Sequence, residues 1–414
     1  MARAKHNLMT PVLIGGCIVL LIGFGVRASF GVFQIPVADQ FGWPRAEFSF
    51  AIAIQNLAWG IGQPIFAAIA EKWGDRLAII GGVLLYAFGM VMSAFAISPE
   101  AHQLLALFVG FGVAGTGFGV VLAVVGRAAT DENRSMSLGI ATAAGSGGQV
   151  FGPPLAAYLL QIMNWSQVFL VFAALIMMIL LFLPMMHSTQ PISKSALEES
   201  MGTILKRAFK DPSYTLIFIG FFSCGYQLAF ITAHFPAFVT EACANIDPSG
   251  MLAAIGVDSP ATLGAFAISV IGMANIAGSL TAGWLGKRWS RKYLLSGIYL
   301  GRTIAAGLFI ALPMTPTTVL IFSAVMGMLW LATIPLTSGL VAYIYGVRYM
   351  GTLYGIVFLS HQLGSFVGVW LGGKLYDLYG SYDIVWWVGV GVGLFSAIVH
   401  LPIREAPRKA QIAA

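Results

Sequence analysis

The sequence predicts an all-α membrane protein of twelve transmembrane helices in two pseudo-symmetric six-helix bundles. Three observations predict it. Apolar residues make up 58% of the 414-residue chain and charged residues only 9%, against about 25% charged in soluble domains. Twelve apolar runs can be marked, and a membrane helix needs roughly 20 such residues. The second half of the sequence also repeats the first.

The runs lie near 11–37, 46–70, 77–97, 103–126, 136–162, 166–186, 214–240, 260–285, 293–312, 316–345, 350–376 and 384–403. We number them helix 1 to helix 12. Met1-Ala-Arg-Ala-Lys-His-Asn7 carries no small-residue cleavage site, so helix 1 is read as retained. Of 22 Lys and Arg, 18 fall in the N-terminus, the even-numbered loops and the C-terminus, whereas Arg45 and Lys374 fall on the opposite side. Positive charge marks the cytoplasmic side. A multi-pass protein of the cell inner (cytoplasmic) membrane with both termini cytoplasmic is expected. The basic balance is thus an orientation signal and needs no nucleic acid. Cys17, Cys224 and Cys243 are odd in number and have neither disulfide nor metal spacing.

The longest cytoplasmic connection separates helices 1–6 from helices 7–12. The expected division is an N-terminal bundle over 1–186, a cytoplasmic linker over 187–212 and a C-terminal bundle over 213–414. In the linker, Ser195-Ala-Leu-Glu198 fits a capping box. Leu197, Met201, Ile204, Leu205 and Ala208 then form one apolar stripe beside Lys206, Arg207 and Lys210. This pattern suits an interfacial amphipathic helix, with a flexible linker as the alternative.

At an offset of 216, Pro44 falls on Pro260, Trp73 on Trp289, Gly81 on Gly297, Gly148 on Gly364 and Gly152 on Gly368. Helices 1 and 7 match instead at an offset of 200, with Gly25 on Gly225, Phe30 on Phe230 and Pro36 on Pro236. The 16-residue difference implies an insertion within Glu241–Ser259. Parallel repeats of this kind place substrate between the halves near the midplane. Arg27 matches Gln227 in this register, so one half carries a charge that the other lacks.

Arg27 lies about 24 Å of helix rise beyond Pro11, past the midplane. A guanidinium there costs several kcal/mol or more unless it meets a partner or a wet cavity. All 16 Asp and Glu lie in loops or at helix ends, so none neutralises Arg27 at mid-depth. An unpaired cation facing a cavity favours an anionic ligand. Its alternative is a structural arginine capping carbonyls of a neighbouring helix. Arg302, about 15 Å above Lys292, is a second intramembrane cation whose alternatives are snorkelling and structural bonding. His361-Gln362, about 20 Å above Arg348, is a candidate titratable or hydrogen-bonding contact, or a helix-packing pair. His234 is expected to gate or pack near the outer end of helix 7. Tyr226, Gln227, Asn56 and Trp330 complete the substrate-binding candidates, and Gln34, Gln55, Gln149, Asn275 and Thr333 are further cavity candidates.

Two motifs are decoys. Gly110-Phe-Gly-Val-Ala-Gly115 fits a dinucleotide pattern but lies inside helix 4 with no preceding strand, and Asn164-Trp-Ser166 sits in a short loop.

Gly62-Gln-Pro64 and Glu71-Lys72-Trp-Gly74-Asp75-Arg76, followed by Gly81-Gly82, resemble the helix 2 to helix 3 region of the major facilitator superfamily. Gly286-Lys-Arg-Trp-Ser-Arg-Lys292 resembles its counterpart in the second half. Gly145-Ser-Gly-Gly-Gln-Val-Phe-Gly152-Pro153 resembles that superfamily's helix 5 motif. The resemblance covers essentially the whole chain and extends to bacterial relatives of the monocarboxylate transporters and oxalate:formate antiporters. In the former, a helix 1 lysine precedes an aromatic pair, and Arg27 with Phe33 takes the matching place. The Asp-Gly-Gly-Trp element of that branch is absent, and Ala277-Gly278-Ser279 stands where its helix 8 arginine would be.

The resemblance implies alternating access by a secondary transporter, with Glu71, Lys72, Gly74, Asp75, Arg76, Gly152 and Pro153 as conformational residues. With Arg27, it points to a small organic anion, a monocarboxylate, as substrate. The implied partners are that anion and the lipid bilayer, with protons as a candidate coupling ion; a monomer without nucleic acid, cofactor or metal is expected. The alternatives are efflux of a neutral or amphipathic metabolite, and a non-transporting membrane sensor. An enzyme lacks support, since neither His-Glu-x-x-His nor Gly-x-Ser-x-Gly occurs. The charge split makes a topological prediction: a cysteine placed at Ser195 should be labelled only from the cytoplasm, and one at Ser249 only from outside. The reverse labelling pattern would overturn the orientation.

Overall fold

A computed structural model describes residues 8–129, 134–186, 201–243, 246–247, 249–345 and 350–406. Side chains at 71–72, 134–135, 201–205 and 350–352 lie outside that description. Among the described residues the structure is helical, and all twelve predicted spans are present. Eleven are long and apolar enough to cross a membrane. Helix 5 (Arg134–Ile162) matches them in length, but its Gly, Ser and paired Pro153-Pro154 lower its apolar content. Helix 1 begins and helix 12 ends at one face, here the terminal face; the opposite face is the distal face. Buried apolar side chains form one cluster centred on helices 1–6 and another on helices 7–12.

Three spans are broken. Helix 1 runs from Pro11 to Ala28, tightens into a 3₁₀ turn at Phe30–Phe33 and resumes over Gln34–Phe41. The apolar run ended near 37, whereas the helix continues four residues further. The break sets Pro36 in the first turn of the resumed helix, where a missing N–H is tolerated. Gly42, at φ 65°, then ends it in the left-handed region. Helix 4 divides at Gly117 into Pro99–Thr116 and Phe118–Ala128.

Helix 10 divides into Pro316–Leu329 and Thr333–Tyr345. Pro335 lacks an N–H and crowds the carbonyl four residues earlier, which weakens the α-helix at Leu331. The break frees polar backbone groups that hydrocarbon cannot satisfy. Arg302, from helix 9 (Arg291–Ala311), is fully buried and meets them. Its Nε donates to the Leu329 carbonyl at 3.1 Å, and its Nη2 donates to the Leu329 and Trp330 carbonyls. Asn275 on helix 8 (Pro260–Leu285) accepts the Leu331 amide at 2.9 Å.

The repeat appears as backbone contact. A Cβ on Gly148 would lie 2.2 Å from the Leu21 carbonyl, and one on Gly152 2.1 Å from that of Gly25. In the second half, a Cβ on Gly364 would lie 2.0 Å from the Phe222 carbonyl, and one on Gly368 2.5 Å from that of Tyr226. Helix 1 therefore lies on helix 5 as helix 7 (Pro212–Ala242) lies on helix 11 (Met350–Tyr379). Such close approach is available only without side chains between the helices. These contacts keep the offset of 216 between helices 5 and 11 but relate helices 1 and 7 by 201 rather than the 200 read from the sequence, so Arg27 corresponds in the structure to Leu228 and not to Gln227.

The connection between halves carries a helix over Met201–Lys210, with Ala208 buried against the second half. The Ser195–Glu198 capping box lies outside the described residues. The insertion after helix 7 contains a short helical turn, Met251–Ala254.

Arg302→Leu would leave the Leu329 and Trp330 carbonyls without this partner. Each buried orphan group costs about 1–3 kcal/mol. We expect a lower Tm for the purified ligand-free protein, with ligand affinity of the folded fraction unchanged. Weaker binding at an unchanged Tm would assign Arg302 to a ligand site instead.

Candidate functional site

The site begins where helix 1 loses its α-helical bonding. Arg27 occupies the last turn before that break, where the helix C-terminus favours a cation. The Gly25 contacts hold this turn against helix 5, and the Ser29 hydroxyl donates to the Gly25 carbonyl at 2.8 Å. Arg27 reaches helix 2 (Arg45–Trp73), where its Nη2 donates to Asn56 Oδ1 at 2.8 Å. Asn56 is fixed by its own Nδ2 donating to the Ile52 carbonyl at 3.0 Å. The guanidinium lies 4.7 Å from the Trp59 ring centroid, within cation–π range. No carboxylate among the described residues pairs with it.

Arg27 borders a cavity lined also by Phe30, Gln55, Asn56, Ala229 and Thr232, with about 10 Å³ of accessible space. That is room for about one water. Helix 7 supplies part of its wall, so the cavity lies between the halves. A Cβ on Gly31 would fall 2.2 Å from the Thr232 carbonyl, which shows how tightly helix 7 closes over it.

The other candidates separate into groups. Gln362 lies opposite helix 2; a Cβ on Gly60 would meet its Cβ at 2.7 Å. Both polar atoms of its buried amide lack a partner. His361 stacks on Phe358 at 5.5 Å and 7°, with Nδ1 unpartnered. Phe358 in turn meets Trp59 edge-on at 5.3 Å. Arg27, Trp59, Phe358 and His361 thus form a continuous chain of contacts across the halves.

Tyr226 and Gln227 point elsewhere. Gln227 Nε2 donates to the Gly389 carbonyl of helix 12 (Asp383–His400) at 3.1 Å, within its own half. Tyr226 is buried with its hydroxyl unpartnered. Trp330 and Thr333 lie at the helix 10 break, and Thr333 Oγ1 is 3.3 Å from Cys224 Sγ. Asn275 bridges the halves by donating to Ser146 Oγ at 3.0 Å. Trp59 and Phe358 were missed. Each stands three residues before or after a polar candidate, Asn56 and His361, and therefore on the same helix face.

Of the residues expected to be conformational, Gly74, Asp75 and Arg76 sit at the terminal face, whereas Gly152 packs on Gly25 inside the bundle and Pro153 follows it within helix 5. Gly74, at φ 102°, makes the reversal between helices 2 and 3 (Asp75–Ser93) in a region open to glycine. Asp75 pairs with Arg127. Arg76 donates to the Pro184 carbonyl at 2.7 Å and to that of Met186 at 3.3 Å. The side chains of Glu71 and Lys72 lie outside the described residues. In the second half, Glu405 accepts from Ser290 at 2.5 Å and from the Arg291 and Lys292 amides at 3.1 and 3.2 Å. Burial raises the pKa of this carboxyl, but those bonds and Arg291 hold it below its usual value.

The distal face carries a polar latch between the halves. Arg45 pairs with Glu241 and lies 4.1 Å from the Tyr376 ring centroid. Asp377 accepts the Arg45 and Ala46 amides at 2.9 and 2.8 Å, capping the start of helix 2. Below them, Gln34 on helix 1 meets His234 on helix 7 at 3.1 Å.

Known proteins resemble this chain along its length. The MFS-type transporter YcxA of Bacillus subtilis (strain 168) is 25% identical over 399 residues, covering 92% of this chain and 91% of its own. Monocarboxylate transporter 13 of Bos taurus is 26% identical over 399 residues, covering 93% and 88%. Among solved structures, the nucleoside transporter NupG superposes with a TM-score of 0.73 at 16% identity, covering 96% of this chain and 99% of its own. A D-xylose-proton symporter gives 0.70 at 15%, covering 95% and 97%. The family model of the Major Facilitator Superfamily matches residues 16–257 and 246–414. With twelve helices, paired glycine contacts and a polar site between its halves, this chain belongs to the Major Facilitator Superfamily.

Proposed function

We propose that the protein is a secondary active transporter of a small organic anion, a monocarboxylate, working by alternating access. Its moving parts are the bundles of residues 1–186 and 213–414, joined by the 187–212 linker. The terminal face is cytoplasmic and the distal face looks outward from the inner membrane, as the 18-to-2 split of loop charges supports.

The observation that carries this reading is Arg27. Its guanidinium sits at mid-depth between the halves, held by a neutral amide and an aromatic face. Five N–H groups are available on a guanidinium, and Asn56 takes one. A carboxylate could take two more in parallel, the geometry that distinguishes arginine from lysine. About 10 Å³ beside it is too small for any carboxylate, so binding requires the halves to part. His361 and Gln362 would face the anion from the other half, where their unpartnered polar atoms gain hydrogen bonds. The similarity to monocarboxylate transporter 13 supports the substrate class.

A second reading has its own support. Asn56 and Trp59 are contacts that a structural arginine would also make, and the cargo would then be a neutral or amphipathic metabolite.

Arg27→Lys and Arg27→Gln separate the two. Lysine keeps the charge and loses the planar fork; glutamine loses both. Removing one partner of a desolvated charge pair costs about 2–5 kcal/mol, or roughly 30- to several-thousand-fold in Kd. We expect moderately weaker monocarboxylate binding with lysine and severe loss with glutamine, at an unchanged Tm. Unchanged affinity in a folded Arg27→Gln protein would sink the anion site. A lowered Tm with intact affinity would establish the structural reading. Uptake of labelled substrate into proteoliposomes separates transport from sensing.

A further inference from the structure

Gln34, Ser49, His234 and Tyr382 form a buried network below the Arg45–Glu241 pair. Its protons can be placed one by one. The Val369 carbonyl can only accept, so His234 Nε2, 2.8 Å away, carries a hydrogen. Nδ1 of the neutral ring is then an acceptor. The Gln34 amide nitrogen donates to it at 3.1 Å and to Ser49 Oγ at 2.7 Å. Ser49 Oγ donates to the Arg45 carbonyl at 2.7 Å. The Tyr382 hydroxyl donates to Gln34 Oε1 at 3.3 Å and accepts from Arg45 Nη1 at 3.3 Å. It also lies 3.3 Å from Nδ1. Every donor has an acceptor, and the Nδ1 lone pair ties helix 7 to helix 1 across the halves.

We propose that His234 is a proton-binding site that works the distal latch, closing it when neutral and releasing it when protonated. The proposal rests on the alternating-access reading and gives that transporter a proton as its coupling ion. A proton from water adds to Nδ1, forming one N–H bond and breaking none within the protein. The ring becomes a cation facing the Gln34 N–H that it previously accepted. Turning the Gln34 amide would offer Oε1 to the new N–H. It would also set the amide nitrogen and Arg45 as two donors against Tyr382 and remove a donor from Ser49.

The surrounding charges do not offset the new cation. Helix 2 contributes Arg45, a like charge. Glu241 of helix 7 is engaged by Arg45 and Tyr376. Asp377 of helix 11 is engaged by two backbone amides. Helix 1 contributes the neutral Gln34, and the segment before helix 12 contributes Tyr382. Phe230 packs against the ring, with Trp386 on the Phe230 ring in turn. The closed latch has no room to adjust, since a Cβ on Gly372 would lie 2.5 Å from His234 Nε2. Separation of the halves is what admits water to the charged ring.

The test reads latch opening without transport. Thr232 lines the Arg27 cavity beneath the latch. A Thr232→Cys reporter, in a Cys243→Ser background, is placed in sealed vesicles whose outward face labels a Ser249→Cys protein. Alkylation by a membrane-impermeant maleimide is followed from about pH 8 to about pH 5.5, across the usual histidine range. The same vesicle protein without the reporter gives the baseline. Because the thiolate is the reacting species and its fraction falls on acidification, each rate is divided by that of the exposed Ser249→Cys protein at the same pH. We expect this ratio to rise about tenfold on acidification, equivalent to about 1.4 kcal/mol. His234→Gln keeps a donor and an acceptor but cannot titrate, and should flatten the response. A flat wild-type profile would overturn the proposal. So would a rise that persists in His234→Gln and vanishes in His361→Gln, which would place the proton at His361. Monocarboxylate uptake is measured on the same proteins. A pH-gated latch without uptake refutes the substrate reading alone, and uptake with a flat labelling profile refutes the proton site alone.

Discussion

The arrangement depends on backbone lying directly on backbone. Gly148 and Gly152 bring helix 5 against the Leu21 and Gly25 carbonyls, and Gly364 and Gly368 do the same between helices 11 and 7. No hydrophobic force draws helices together in lipid, so close van der Waals contact takes its place. These contacts fix the turn that carries Arg27 and set the depth of the site. A methyl group at Gly152 would meet carbonyl oxygen at 2.1 Å, with no flexible side chain to give way.

Two buried arginines then show how context decides what an intramembrane charge does. Arg302 is enclosed within one half and saturates carbonyls released by the helix 10 break. Arg27 lies between halves, touches one neutral amide and one indole, and borders a cavity whose wall belongs to the other half. Both have the same chemistry. They differ in whether backbone acceptors surround the guanidinium, and in whether the element opposite it belongs to the same half.

The inter-half contacts also change character with depth. At the distal face they are hydrogen bonds and an ion pair, grouped around Arg45, Gln34 and His234. Further inside, aromatic edges and small residues, as at Trp59–Phe358 and Gly60–Gln362, accompany hydrogen bonds between helices 5 and 8, from Asn275 to Ser146 and from Ser269 to the Val150 carbonyl. Directional bonds at both levels make one closed geometry distinct.

Composition and pattern alone settled the membrane class, the twelve helices and the internal repeat, because lipid forces each crossing segment to be long, apolar and self-bonded. They also singled out Arg27, since a charge in an apolar run is visible without a fold. The sequence did not reveal the breaks at Phe30–Phe33 and Trp330–Ala332, because apolar content continues through both while proline acts on the turn before it. Nor did it separate Gln362, which faces helix 2, from Gln227, which bonds within its own half. The side on which a polar residue lies depends on how whole helices rotate against one another. Trp59 beneath Arg27, and Gln34 against His234 some 200 residues away, are products of that packing. Only the tertiary structure decides such pairs, because their geometry comes from helices that the chain brings together after long separations.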